Sequence, residues 1–564
     1  MNQMSGAEAV VTMLQRYGVR HVFGLCGDTS LPIYDAFYRL DHGITHILTR
    51  DERSAAYMAD AYARVTARVG VCEGPSGGGA TYILPGVVEA NESSIPVLAL
   101  TTDIGVSSRG RYVLTELDQK ALFAPLTKWN DVVLQAEQIP SSFRQAFRAM
   151  TTGRPGSAHL GLPFDVQNQP IDEALVRADP RHQTFPAEPV GPDPAAVERF
   201  VEKLLAANNP VIVAGGGPVI AGAFAELLQF AERLAIPVAT SISGKGIIAE
   251  NHPLSIGVVG SNGGVPETRA LIDAADCVLF IGCRAGSVTT ERWRHPAPDS
   301  KRILHIDVDP EVIGVNYGTD AALVGDARLA LAAVNAALDR QHVDTPARGL
   351  DVGRIGAIRA QKFAAFQELA ESDETPIRPE RVIATLARHL PEDAVVVADP
   401  GTPCPYISAY LQLKRPGRQF ISNRAHGALG YSLPAVVGAQ IGRPDARCVA
   451  VMGDGSFGFA CGEMETIQRL GLPVTLIVIS NAAFGWIKAG QRSSFDQRYF
   501  SVDFTPGRHA EIARAFGIEA FDVVDPGALD LAMQKAFAAE GPILVDIACQ
   551  PLHEARAPVS EWIA

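Results

Sequence analysis

The 564-residue chain is short of basic charge: 49 lysines and arginines stand against 62 aspartates and glutamates, for a formal net charge of -13. With no basic field to hold a nucleic-acid backbone, no nucleic-acid partner is expected. Long apolar runs are also missing. No uncharged apolar stretch reaches the roughly eighteen residues a membrane span needs. The opening MNQMSGAEAVVTMLQRYG has neither the basic start nor the apolar core of a secretion signal, so a soluble, cytoplasmic protein with no membrane partner is expected. The eight cysteines form no CxxC pair or ligand quartet, which predicts reduced, packed thiols rather than disulfides or zinc. The thirteen histidines form no HExxH, so any metal chemistry must rest on oxygen ligands. The glycine run Gly215-Gly216-Gly217 falls short of a GxGxxG dinucleotide fingerprint. By itself it fits either a sharp strand-to-helix turn or a close approach of phosphate oxygens.

What is present is the composition of a compact globular protein, 47% hydrophobic and 20% charged, in a chain long enough for roughly three domains. A helical pattern at 7–17 leads into VRHVFGLCGD, then apolar runs at 69–72 and 96–103. A polar, proline-rich passage at 167–194 reads as a linker. Strand patterns recur at 210–214, 277–286 and 303–310, and again, after a less apolar connection at 340–375, at 394–402, 448–456, 474–481 and 542–549. Apolar runs alternating with helices predict an α/β fold of parallel sheets covered by helices. Three domains are expected, at 1–185, 190–345 and 370–555.

The sharpest constellation is Gly453-Asp454-Gly455-Ser456, followed by a helical stretch and then VTLIVIS, which ends at Asn481. Two apolar strands would deliver Asp454 and Asn481 to neighbouring carboxyl ends. A carboxylate, an amide oxygen and a backbone carbonyl, the last assigned to Ala483, make a half-shell for Mg2+, with diphosphate oxygens and water completing it. Pro400-Gly401-Thr402, after VVVAD, offers backbone donors and a hydroxyl to the same diphosphate.

The GDGS and ISNAA pair resembles the signature of the thiamine-diphosphate enzyme superfamily, and the resemblance runs over almost the whole chain in the order pyrimidine-binding, middle and diphosphate-binding domains. It implies thiamine diphosphate and Mg2+ as cofactors. In HILTRDERSAAYMADAYARV it carries to Glu52 the role of bonding the aminopyrimidine, so that the cofactor's amino group can take the thiazolium C2 proton. In HGALGYSLPAVVGA it makes Leu429 the apolar wedge under the cofactor, with the backbone at Gly427 and the side chain of His426 beside it. Gly27, in FGLCGDTSLPIYDA, and Pro75, in PSGGGATYILPGVVEA, are further cofactor-binding candidates. A homodimer, or a dimer of dimers, is implied, with Glu52 of one subunit serving the diphosphate domain of another.

Within the superfamily the chain looks like the acetolactate synthase large-subunit group, through GRPGSAHLGLPFDV, IDVDPEVIGVNYGTDAALVGDA and the ending ARAPVSEWIA. A carboligase joining a decarboxylated 2-oxo acid to a carbonyl acceptor is the expected activity. Departures keep a second activity open: Leu114-Thr115-Glu116 replaces the group's phenylalanine–glutamine–glutamate segment, and FGWIKAGQ replaces its usual acceptor-pocket segment. The ELDQ stretch is similar to thiamine-dependent acyl-CoA decarboxylases and 2-hydroxyacyl-CoA lyases, which would take an acyl-CoA substrate and use Gln119 as a catalytic residue, with Lys128 and Trp486 as substrate-region candidates. A noncatalytic scaffold is the third alternative. Arg284 keeps one flavin-facing basic position while its acidic neighbours are missing, so FAD is left undecided.

Overall fold

A computed structural model describes residues 2–343 and 352–562. Three six-stranded sheets carry the fold, and every strand pair in them is parallel. The first runs, edge to edge, Thr45–Leu48, His21–Gly24, Gly70–Gly74, Val97–Asp103, Ala158–Pro163, Trp129–Val132. The second runs Ser255–Val258, Val238–Thr240, Pro210–Ala214, Cys277–Ile281, Arg302–Asp307, Ala321–Val324. The third runs Phe420–Ser422, Val395–Ala398, Cys448–Gly453, Thr475–Ser480, Ile543–Ala548, Glu519–Val523. Central strands such as Val97–Asp103 are buried along their whole length, the consequence of helices on both faces. The fold is thus the expected three-domain α/β arrangement of parallel sheets. No helix among the described residues is long and apolar enough to cross a membrane.

The chain forms two compact units that cut across sequence order. The first comprises the chain up to Glu188 together with Asn423–Pro444 and Ala460–Leu472; the second comprises the remainder. Inside the first, helix Glu52–Thr66 lies against helix Ser432–Gly442. The approach is close because Gly438 lacks a side chain: a Cβ there would overlap the carbonyl oxygen of Met58. Polar bonds fix the same contact. Asp60 accepts from the Tyr431 hydroxyl and from Arg64 (2.9 Å), and Glu89 accepts from the His426 backbone N–H (2.7 Å).

Two connections differ from their sequence-based reading. The passage 167–194 is no free linker up to residue 187. Strand Pro170–Asp172 pairs antiparallel with Gln3–Ser5, while Ile171, Val176 and Phe185 are buried and tie the polar passage down. In the connection 340–375, residues 344–351 lie outside the described residues, as does the boundary expected at 345, but 352–370 is one continuous helix. Ile355, Phe366 and Ala370 are buried along one face of it, a stripe that the polar residues between them hide from a count of apolar content.

Candidate active site

Chemistry-bearing residues collect just past the carboxyl ends of neighbouring parallel strands, where open α/β sheets bind ligands. In the first unit, His21–Gly24, Thr45–Leu48 and Gly70–Gly74 are adjacent, and they lead into Gly27, Glu52 and Pro75 respectively. Pro75 is clamped between two glycines: its ring atoms would lie 2.5 Å from a Cβ on Gly27 and would overlap one on Gly79. Glu52 opens its helix behind the N-cap Asp51, whose Oδ1 accepts from Arg53 N–H at 2.7 Å. The turn before it is held by Glu463, which accepts the Arg50 N–H at 2.8 Å. Glu52 is 7% exposed. Burial pushes its carboxyl above the ordinary glutamate range, and the charges of Asp51 and Glu73 push the same way.

Glu73 was not anticipated from the sequence. It is buried in the strand Gly70–Gly74 and accepts from the Tyr34 hydroxyl, which itself sits 2.9 Å from His46 Nε2. Gly24 makes room for it, since a Cβ there would overlap the Glu73 side chain. Burial, followed by the Glu73 charge, pushes the Tyr34 hydroxyl upward, so it stays a donor. The available signal was a lone acid inside the otherwise apolar and glycine run GVCEG.

Gln119 is buried, and its amide is engaged on both sides. Its oxygen accepts from the Thr101 hydroxyl, and its nitrogen donates to the Thr102 carbonyl at 2.8 Å, leaving one amide N–H. Thr101 Oγ1 also lies 2.7 Å from Nε2 of His159, which burial lowers to about 3 and holds neutral. Lys128 is structural: its ammonium donates to the carbonyls of Thr152 and Arg154, each at 2.7 Å. His426, Gly427 and Leu429 lie in the irregular segment that precedes helix Ser432–Gly442, His426 and Gly427 exposed and Leu429 half-buried. Gly427 has φ +75° and Gly430 φ +80°, a path that favours glycine.

In the second unit the adjacent strands Val395–Ala398, Cys448–Gly453 and Thr475–Ser480 lead into Gly401-Thr402, Asp454 and Asn481. Helix Asp454–Ala460 starts at Asp454 itself, so the helix takes in the motif rather than following it. Gly453 is the last residue of its strand, a Cβ on Gly455 would stand 2.9 Å from the Phe484 ring, and Ser456 and Thr402 are buried. Asp454 organises the turn opposite. Its Oδ2 accepts from the N–H groups of Asn481 (2.7 Å) and Ala482 (2.6 Å), and its Oδ1 from Gly455 N–H (2.9 Å). Burial nevertheless raises the carboxyl above the ordinary aspartate range. Ala482 takes φ +52°, a left-handed conformation costly for alanine.

Two oxygens at this turn have no internal partner. Asn481 Oδ1 is buried and accepts no hydrogen bond. Around Ala483 the bridge to Asp503 uses Phe484 N–H to Val502 O (2.8 Å) and Phe504 N–H to Ala482 O (3.0 Å). These bonds turn Ala483's own carbonyl to the opposite edge, where it takes no hydrogen bond among the described residues. A carboxylate, an orphaned amide oxygen and a free carbonyl fit a hard divalent cation with room for further oxygen ligands. Among the described residues no cluster of three or more His, Cys, Asp or Glu could hold a metal, so such a cation would depend on this mixed donor set.

Gly215 and Gly217 are taken up by packing, because a Cβ on Gly215 would overlap the Gly282 carbonyl and one on Gly217 would lie 2.6 Å from the Gly282 Cα. Arg284 is exposed. Trp486 stands edge-on to Trp562, 5.1 Å between ring centres, and donates to its carbonyl at 3.1 Å.

Comparison with known proteins agrees with this geometry. Family models for the thiamine pyrophosphate enzyme match three stretches: the N-terminal TPP binding domain at 4–122, the central domain at 197–334 and the C-terminal TPP binding domain at 399–547. The chain is 33% identical over 563 residues to a probable acetolactate synthase large subunit of Methanococcus aeolicus, covering 97% of this chain and 92% of the relative. It is 34% identical over 557 residues to a similarly named protein of Methanocaldococcus jannaschii, with the same coverage. It is 31% identical over 539 residues to the acetolactate synthase isozyme 3 large subunit of Escherichia coli, covering 95% and 92%. The chain therefore belongs to the thiamine-diphosphate-dependent enzyme superfamily, where it is an enzyme resembling the acetolactate synthase large-subunit group.

Proposed function

We propose that the protein is a 2-oxo-acid carboligase of the acetolactate synthase kind, with Mg2+ held by Asp454, Asn481 Oδ1 and the Ala483 carbonyl. The observation that carries the reading is Glu52: a buried carboxyl, raised in pKa, with no cation among the groups acting on it. When bound, thiamine diphosphate supplies a carbon nucleophile and stores the electron pair left when the donor loses its carboxyl group. Glu52 holds and exchanges the proton at the aminopyrimidine. Gly401, Thr402, Gly453, Gly455 and Ser456 line the diphosphate. Gly27, Pro75, His426, Gly427 and Leu429 would shape the ring site, with Leu429 as its apolar wedge. Gln119 keeps one amide N–H for the substrate while steadying the Thr101–Thr102 strand end. The working unit in this reading is a homodimer or dimer of dimers in the cytoplasm, Glu52 of one copy serving the metal half-site of the other.

The test is incubation of the protein, loaded with thiamine diphosphate and Mg2+, with pyruvate, other 2-oxo acids and acyl-CoA thioesters, with products identified by mass. Acetolactate from pyruvate is expected. Aldehyde release alone, or cleavage to formyl-CoA, would replace the carboligase by the decarboxylase or lyase that the altered segments 114–119 and 484–491 favour. Cofactor binding without turnover of any donor would leave the scaffold.

A further inference from the structure

Against the segment that carries His426, Gly427 and Leu429 lies a buried cluster of charged groups with no part in the chemistry proposed above. Asp60, on helix Glu52–Thr66, and Glu89, on helix Leu84–Glu92, are both fully buried. Arg64 links them, its Nε donating to Asp60 at 2.9 Å and its Nη2 to Glu89 at 3.2 Å. Burial pushes the Asp60 carboxyl upward and the Arg64 charge pulls it back. Two acids in such an interior would be costly without that guanidinium, so the three side chains stand or fall together.

Each acid spends an oxygen on the segment. Glu89 Oε2 accepts the His426 N–H at 2.7 Å, and Asp60 Oδ2 accepts from the Tyr431 hydroxyl. A third tie is internal: the buried Asn423 amide donates to the Ala428 carbonyl at 2.6 Å. The anchors at 426 and 431 bracket Gly427 and Gly430, whose left-handed φ of +75° and +80° marks the stretch of backbone least restrained by its own side chains. With four residues between the anchors, Leu429 cannot move far unless one of them gives. The grip comes from the buried side, and His426 and Gly427 stay exposed on the other. Packing of the helices alone would not call for the Glu89 bond to His426, which reaches main chain outside all of them.

We propose that Asp60, Arg64 and Glu89 are positioning residues that hold Leu429 at the ring site through Tyr431 and His426. This rests on the reading of Leu429 as the apolar wedge.

Two measurements on the full-length protein test it. Without cofactor, hydrogen–deuterium exchange of a peptide spanning 423–431 is expected to speed up about 10-fold in Tyr431→Phe, the worth of one buried hydrogen bond, while the central strand Val97–Asp103 exchanges as before. With thiamine diphosphate and Mg2+ at saturation, exchange of the cofactor's C2 proton is then compared in Tyr431→Phe, Leu429→Ala and the double variant. A hydroxyl that acts through Leu429 predicts C2 exchange slowed roughly 10-fold in Tyr431→Phe, and a double variant no slower than Leu429→Ala alone. A bond that only stabilises the fold would leave C2 exchange of the bound cofactor unchanged. Losses that multiply in the double variant overturn the proposal and leave the wedge standing, as does an unaltered 423–431 peptide or normal C2 exchange in Tyr431→Phe. Normal C2 exchange in Leu429→Ala removes the wedge and the proposal with it. If Tyr431→Phe fails to fold, Glu89→Gln decides. Its amide oxygen still accepts the His426 N–H but no longer pairs with the Arg64 charge, so both losses are expected in smaller measure, and neither appearing overturns the proposal.

Discussion

Replacing Asp454 by alanine separates what this residue does for the backbone from the role proposed for it at a cation. The carboxylate is the acceptor for the N–H groups of Asn481 and Ala482, at 2.7 and 2.6 Å. Hydrogen bonds to a charged group are worth about 1.5–3 kcal/mol each, so the 481–484 turn stands to lose about 3–6 kcal/mol. Left-handed alanine at 482, with φ +52°, adds about 1–2 kcal/mol of strain that the lost bonds no longer restrain. A global melting temperature is a poor readout in a chain with several domains. Hydrogen–deuterium exchange of a peptide spanning 479–486, without cofactor or metal, reads the turn directly. Even the lower figure corresponds to roughly 100-fold faster exchange in Asp454→Ala. Asp454→Asn keeps one acceptor oxygen, so its exchange rises less while Mg2+-dependent cofactor binding is lost. Exchange in Asp454→Ala as slow as in the unaltered protein would refute the reasoning.

Three further outcomes follow from the same coordinates. Ala482→Gly relieves the left-handed strain, by up to about 1 kcal/mol, and slows exchange of the same peptide. Gly438→Ala forces a methyl into the Met58 carbonyl and costs about 1–3 kcal/mol despite alanine's better helix propensity, read as faster hydrogen–deuterium exchange in helix Ser432–Gly442. Glu52→Gln acts on stability through pH. The folded carboxyl, raised by burial, holds its proton to higher pH than the unfolded one, so its contribution is fully present in acid and is lost as pH rises through the raised value. Hydrogen–deuterium exchange of helix Glu52–Thr66 should therefore be slower in the glutamine variant than in the unaltered protein at pH 8, once corrected for intrinsic rates, with the gap closing towards pH 4; a gap that widens in acid would contradict the assignment.

Much of the fold was readable because parallel strands buried on both faces leave unbroken apolar runs. The runs at 210–214, 448–456 and 474–481 were visible as such, and so was the placement of Asp454 and Asn481 at the ends of neighbouring strands. What the sequence could not convey is partnership at long range. Glu463 reaches Arg50 across 413 positions, and Glu73 takes the Tyr34 hydroxyl across 39, and neither acid carries a local mark of its partner. The two misread connections share a cause: sparse apolar residues, spaced to one face in helix Val352–Ala370 and to a few anchors in 167–187, hold a segment down even when its average composition is polar. The carbonyl partners of Lys128 and Trp486 were likewise invisible in the sequence.

The most direct measurement is proton–deuterium exchange at C2 of the bound cofactor, followed by NMR after acid quench, in the unaltered protein and in Glu52→Gln. Fast exchange in the former, and exchange slowed by at least 100-fold in the latter with thiamine diphosphate still bound, is the expected result, in line with the usual worth of a positioned acid–base group. Equal rates in the two proteins would contradict the claim that Glu52 manages the proton on which the chemistry depends.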